Sequence, residues 1–499
     1  MDSNIHYYNK LEKIFEDIAH LNSIADLSQW YYTTFMPPAS AHSRQLDNAV
    51  LDKTINNLKT SPEVKELIDK SLDELENLNA WQKANLNLIK KEFDEIKLIP
   101  ENLNQEYIES TAKCEFLWRT ARQNNDFKVL SPHLDKVFSL SREIASIKSE
   151  HYGISSYNYL IDKFDPDRKI EDVRPIFDKT KDFLANFIPK VIDIQSSQTI
   201  LPIKEKIDIN TQKAIEYKIM EKMGFDISRG RLDESAHPFS CGNKDDVRLT
   251  TKYFEDNFLI STFSVIHEAG HGLYSQNLPE KYKYQPVGEY KGYTFHESQS
   301  LIMEKQIGTS MSFLECYSKI LRDDFGFKGQ EYTAENLFKI LNKVNPSFIR
   351  IDSDEVTYPL HIILRTEIEE KIINNEISAV DLPEIWNQKM EDYLGISPKT
   401  ISEGCLQDIH WPSGLIGYFP SYYLGSVIAS MLLNRITKTY NNIESDISNG
   451  NFTKVNQYLN DNLRRMGCSL SSKDLLKQST GKEELDLDAH FNYLKGKYL

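Results

Sequence analysis

His267-Glu268-Ala269-Gly270-His271 constrains this chain more than any other stretch. Residues four apart share one face of a helix, so both imidazoles can grip a single metal ion. Glu268 follows the first histidine and can reach a water beside that ion. The run Phe258-Leu259-Ile260-Ser261-Thr262-Phe263-Ser264-Val265-Ile266 leads straight into the pair. An apolar helix entering two histidines is what a buried metal site requires. The plainer alternative is a partly buried surface that carries histidines at i and i+4.

A third ligand separates the two. Catalytic zinc sites use three protein groups and keep the fourth position open. Glu297, in His296-Glu297-Ser298-Gln299, is the candidate. Asn277-Leu278-Pro279-Glu280 and Pro286-Val287-Gly288 break the first helix and permit a return. The run Leu301-Ile302-Met303-Glu304-Lys305-Gln306-Ile307 reads as helix again. The expectation is two antiparallel helices that bring His267, His271 and Glu297 onto one Zn2+, with Glu268 as general base. Taken alone, Glu297 would be an ordinary surface carboxylate.

Charge excludes several other classes. The net charge of −15 argues against a nucleic-acid surface and offers nothing to anionic membranes. No stretch is apolar for long enough to span a bilayer. Met1-Asp2-Ser3-Asn4-Ile5-His6 lacks the basic and apolar regions of a signal peptide. The cysteines at 114, 241, 316, 405 and 468 are scattered, without a C-x-x-C pair. Reduced thiols in a cytoplasmic protein are the simplest expectation.

Helical periodicity dominates: Ser61 to Leu78, Ala80 to Leu98, Leu103 to Asn124 and Ser131 to His151 are examples. Ser61-Pro62 and Ser131-Pro132 both read as an N-cap with proline in the first turn. Asp245 to Tyr253 alternates apolar and polar residues like a half-buried strand. As an edge strand beside the metal it could bind an extended peptide by strand addition; as a structural hairpin it would not. Histidines 237, 267, 271, 296, 361 and 410 concentrate the chemistry in the second half of the chain.

With these residues in view, the chain resembles the M32 metallocarboxypeptidases, the thermostable carboxypeptidase Taq type. The matching motifs run in order along the sequence. His237-Pro238-Phe239 resembles H-P-F, and Asp246 to Thr250 resembles D-x-R-x-T. The H-E-x-x-H and the H-E-S-Q at His296 to Gln299 follow. Ile349-Arg350-Ile351-Asp352-Ser353-Asp354 resembles I-R-x-x-[AS]-D, and Gly404 to Trp411 resembles G-x-x-Q-D-x-H-W. Tyr31 after Trp30 departs from the family's usual Asp.

The resemblance implies a mainly α fold with a long deep groove, similar to neurolysin and angiotensin-converting enzyme, and a small β-sheet beside the active site. It implies one domain over residues 1–499. Residues 1–230 would be helical scaffold and cleft wall, 231–430 the motif-bearing region, and 431–499 a C-terminal helical region. It further implies a homodimer that removes single residues from peptides with a free C-terminal carboxylate. One Zn2+ is expected per chain, and Co2+ should substitute because its size and ligand preferences are close.

Substrate roles divide among the motifs. Arg350 is the candidate for the terminal carboxylate, since a guanidinium fork binds that anion at two points. Arg248 is second and is expected to pair with Asp246 or another acid near the strand, and Asp246 is itself a candidate substrate-binding residue. Tyr418, Tyr423 and His410 are candidates for stabilising the oxyanion, against the alternative of core packing for each tyrosine. His237, His296 and Gln407 are placed near the substrate, with buried, satisfied polar groups as the alternative for His237 and Gln407. If Ser353 capped the following helix, Pro359 would lie past its first turn and kink it. Two other functions stay open: an oligoendopeptidase using the same groove, and a binding or chaperone-like protein with a dead site.

Overall fold

The computed structural model describes residues 5–499, most of them helical. Helices His6–Thr33, Ala41–Lys59, Pro62–Asp73 and Ala80–Leu98 enclose a small apolar cluster that includes Tyr8, Leu11, Phe15, Val64 and Leu86. The remaining elements share one larger core running from Cys114 to Tyr498. Local chemistry sets the helix starts. The Ser61 hydroxyl accepts the Val64 N–H, with Pro62 in the first turn. Asn79 and Gln82 form a reciprocal capping box. At Ser131-Pro132 the expectation fails. Asp126 caps Lys128 and Val129, the helix spans Phe127–Tyr152, and Pro132 lies inside it.

The three strands are β1 (Gly230–Glu234), β2 (Ser240–Asn243) and β3 (Asp246–Thr251). Their order is β1-β3-β2, with β3 parallel to β1 and antiparallel to β2. Of the two alternatives for Asp245 to Tyr253, the edge strand is excluded, because β3 is the central strand. Both of its sides are paired, so a peptide cannot add to it. It closes a hairpin with β2, and β2 is an edge.

Helix Phe258–Gln276 is buried along most of its length against this sheet and the helices around it. Two short turns, Glu280–Tyr282 and Pro286–Gly288, return the chain to helix Gly292–Leu301, as the breakers predict. The helix then widens into a π-helical segment, Ile302–Gly308. Helix Tyr358–Ile373 begins one residue before Pro359, which stands in the first turn and has no intrahelical donor to lose. The expected kink is absent because Asp354, rather than Ser353, organises the entry by accepting the N–H groups of Val356 and Thr357.

The loop from Ile401 to Phe419 carries Gln407, Asp408 and His410. Buried Glu369 holds it by accepting from Trp411 Nε1 at 2.9 Å and Gly417 N at 2.9 Å. Trp118 Nε1 holds it a second time through Leu406 O at 2.8 Å.

Candidate metal centre

Close helix crossing builds the site. A Cβ on Gly270 would stand 2.4 Å from Gln299 O and 2.6 Å from Ser300 Cα. Only glycine lets the histidine helix approach the Glu297 helix this closely. On the other side, a Cβ on Gly425 would meet Glu297 Cβ at 3.0 Å, so helix Pro420–Thr439 also presses on the ligand. Gly270→Ala is expected to push the helices apart at a cost of about 1–3 kcal/mol and to weaken metal binding. Thermal unfolding together with metal titration measures both effects. Unchanged affinity would show that the crossing does not set the ligand geometry.

One candidate donor atom from each of His267, His271 and Glu297 lies within 4.8 Å of the others. His267 Nε2 stands 3.9 Å from Glu297 Oε1, and His271 Nε2 stands 3.5 Å from Glu297 Oε2. Two imidazoles and a carboxylate facing one point fit a divalent ion. The Glu297 carboxylate therefore stands beside the two histidines, where the sequence puts it. Among the described residues no other such group of donors occurs.

Sequence reasoning missed the residue that orients His267. Glu304 Oε2 lies 2.8 Å from His267 Nδ1, and Lys305 Nζ lies 2.6 Å from Glu304 Oε1. A carboxylate on the outer nitrogen fixes the ring and leaves Nε2 for the metal. The available signal was spacing: Glu304 lies two helical turns beyond Glu297, on the same side. Burial would raise the Glu304 carboxyl, but Lys305 and His267 hold it down at about 2. Burial disfavours charge on His267, yet Glu297 and Glu304 push that imidazole up to about 9. A metal must displace that proton, so uptake should release it.

Glu268 is buried, and burial raises its carboxyl above the usual range against the opposing pull of the two histidines. His296 is sandwiched between His271 and Tyr290, with both ring centroids at 4.1 Å.

A second cluster carries the positive charge. Asp408 accepts from Arg350 at 3.0 Å and from Arg365 at 2.7 Å. Burial would raise the Asp408 carboxyl, but the two guanidiniums hold it well below the carboxylate range. Arg350 Nη1 also donates to Tyr358 OH at 3.1 Å, and the guanidinium lies 5.1 Å from the Tyr422 ring centre. Burial brings the His410 imidazole down to about 3, so the ring is neutral. Its Nε2 stands 3.3 Å from Tyr422 OH.

Tyr358, Tyr418 and Tyr422 all lie within electrostatic reach of Glu297. Burial raises each phenol above its ordinary value, so all three remain O–H donors. Tyr418 stacks edgewise on Tyr422 at 5.0 Å.

Tyr423 corrects an expectation. Its phenol shares a 2.8 Å hydrogen bond with Thr180 in the core, and the residue is fully buried. Adjacent helical residues point about 100° apart, so Tyr422 takes the site position instead. Gln407 is buried, with its oxygen on Arg350 N and Arg365 Nη2 and its nitrogen on three carbonyls, so it positions the two arginines. His237 is exposed and senses Lys252, Arg122 and Arg119 rather than the metal donors, which overturns the buried alternative. Arg248 pairs with Asp246 at 2.9 Å and lies 4.1 Å from the Trp30 ring centre, as the pairing expectation had it. Cys241, opposite Arg248 across the hairpin, feels both Arg248 and Glu268, so this pair flanks the histidine helix.

Comparison with known proteins gives a consistent result. The sequence model described as carboxypeptidase Taq (M32) metallopeptidase matches residues 10–498. Carboxypeptidase 1 of Bacillus subtilis (strain 168) is 34% identical over 99% of this chain and 98% of its own. Thermostable carboxypeptidase 1 of Pyrococcus furiosus is 32% identical over 97% and 96%. The solved structure of Trypanosoma cruzi metallocarboxypeptidase 1 superposes with a TM-score of 0.96 at 33% identity, covering 99% of each chain.

Proposed function

Because this chain belongs to the carboxypeptidase Taq (M32) metallopeptidase family, we propose that it is a zinc-dependent carboxypeptidase that releases single amino acids from peptide C-termini. The convergence of His267, His271 and Glu297 beside buried Glu268 carries this assignment. When bound, a divalent ion would act as a Lewis acid on the scissile carbonyl and on water. Glu268 accepts the proton of the attacking water and delivers it to the leaving amine. Tyr418 and Tyr422 offer neutral O–H donors toward the developing oxyanion, with His410 positioned against Tyr422. Arg350 binds the substrate's terminal carboxylate, and Arg365 and Asp408 fix its guanidinium plane.

The relatives named carboxypeptidases support this assignment over an endopeptidase. The intact donor set speaks against a dead site. One Zn2+ per chain is expected, replaceable by Co2+. His267→Ala and Glu297→Ala should each abolish stoichiometric metal uptake, and full occupancy in either variant would refute the ligand set. Digestion of a mixed peptide library by zinc-loaded protein, read by mass spectrometry, should show loss of single C-terminal residues.

The family match over 10–498 supports one domain, with 1–230 as scaffold, 231–430 as the motif-bearing region and 431–499 as the closing helices. A homodimer in the cytoplasm completes the proposal, with sedimentation expected at twice the chain mass. Among the described residues no helix is long and apolar enough to cross a membrane.

A further inference from the structure

Helix Leu487–Tyr498 supplies none of the site residues, yet its polar side chains meet the two elements that frame the site. One is the π-helical segment that carries Glu304. Lys305 stands in its last turn, where carbonyls lack a partner in the helix. Its carbonyl accepts from Lys497 Nζ at 2.8 Å, Tyr493 OH at 3.1 Å and Thr309 Oγ1 at 2.6 Å. The other element is the turn before Tyr358, the residue that holds Arg350 Nη1. Its Glu355 accepts from Lys497 Nζ at 2.6 Å, Tyr493 OH at 2.8 Å and Tyr498 OH at 3.0 Å.

Lys497 and Glu355 are 7% and 10% exposed, so this is a buried ion pair. Such a pair adds little net stability over an apolar replacement, so its geometry is the better account of its presence. Both ends of the contact lead to the site. One runs through Lys305 and Glu304 to His267 Nδ1, and the other through Tyr358 to Arg350. We propose that Lys497, assisted by Tyr493, is a strut that fixes the Glu304 segment against the Glu355–Tyr358 turn. It thereby sets the orientation of His267 relative to Arg350. Both are positioning residues, and the proposal rests on the zinc carboxypeptidase assignment above.

Zinc affinity measured by chelator competition tests the strut without relying on activity. Lys497→Met keeps the stem and removes the ammonium. It is expected to bind zinc about fivefold more weakly than wild type, less than the loss expected for Glu304, the direct outer partner of His267. Tyr498→Phe removes a donor to Glu355 and none to Lys305, so it should lower Tm while its zinc affinity stays within twofold of wild type. Equal affinity in Lys497→Met and wild type overturns the strut, as does an equal loss in Tyr498→Phe. Should Lys497→Met fail to fold, Tyr493→Phe removes one hydroxyl and should show about a threefold loss, smaller than that of a direct outer partner. Unchanged affinity there overturns the proposal as well. Failure of the metal assignment looks different: wild type itself would take up no zinc, which overturns both.

Discussion

Glu268→Gln should yield a folded protein that binds one zinc per chain and turns over about 10²–10⁴-fold more slowly, or worse. The substitution preserves the shape of a side chain that is 6% exposed, so packing is retained. None of the metal donors depends on it. His267 is oriented by Glu304, and Glu297 faces the two Nε2 atoms. What disappears is a carboxylate whose burial makes it a stronger base than a solvated one. An amide oxygen cannot accept the water's proton at neutral pH, and neither Glu297 nor Glu304 is free to replace it. Glu297 is committed to the donor set and Glu304 to His267 and Lys305. Metal content by elemental analysis beside kcat on a free-acid peptide separates the two roles. Turnover within a few-fold of wild type would remove Glu268 from the mechanism.

The residues that could be read from sequence are those whose geometry is local. His267, Glu268 and His271 need only helical periodicity, and Glu297 needs only two breakers and a second helix. Residues set by long-range packing were harder to read. Asp245 to Tyr253 shows its alternation in the sequence, but its rank in the sheet depends on β1, a short strand whose pattern is weak. In the run Tyr418 to Tyr423, composition marks an aromatic cluster and cannot say which phenol turns to the site. The contact between Tyr423 and Thr180, 243 residues apart, settles it. Glu304 stands two turns past Glu297, but its role appears only when the helix carrying His267 packs against it, 37 residues away in sequence. Asp408 lay inside a matched motif, but its role appears only when Arg350 and Arg365 converge on it from separate segments.

That convergence leads to the second large effect. Arg350→Ala should lower kcat/KM for free-acid peptides by about 2–5 kcal/mol, or roughly 30- to 4,000-fold, while peptides amidated at the C-terminus lose much less. Two guanidiniums share one carboxylate, and His410 is neutral, so the cluster keeps one unbalanced positive charge. Of the five N–H donors on a guanidinium, Arg350 commits Nε and one on Nη2 to Asp408 and one on Nη1 to Tyr358. One N–H remains on each terminal nitrogen to donate to a substrate carboxylate. The acidic chain, at −15, offers an anion no general attraction, so this local cation has to provide it. Alanine removes the fork and cancels the excess charge, while Asp408 keeps Arg365 and the backbone N–H of residue 350 keeps Gln407. Arg350→Lys should fall between, because a lysine restores the charge without the planar pair. The deciding measurement is a cycle of two enzymes, wild type and Arg350→Ala, against two substrates, acid and amide. Strong coupling assigns the terminal carboxylate to Arg350. Absence of coupling would move that role to Arg248 or elsewhere, and ready cleavage of the amide by wild type would return the endopeptidase alternative.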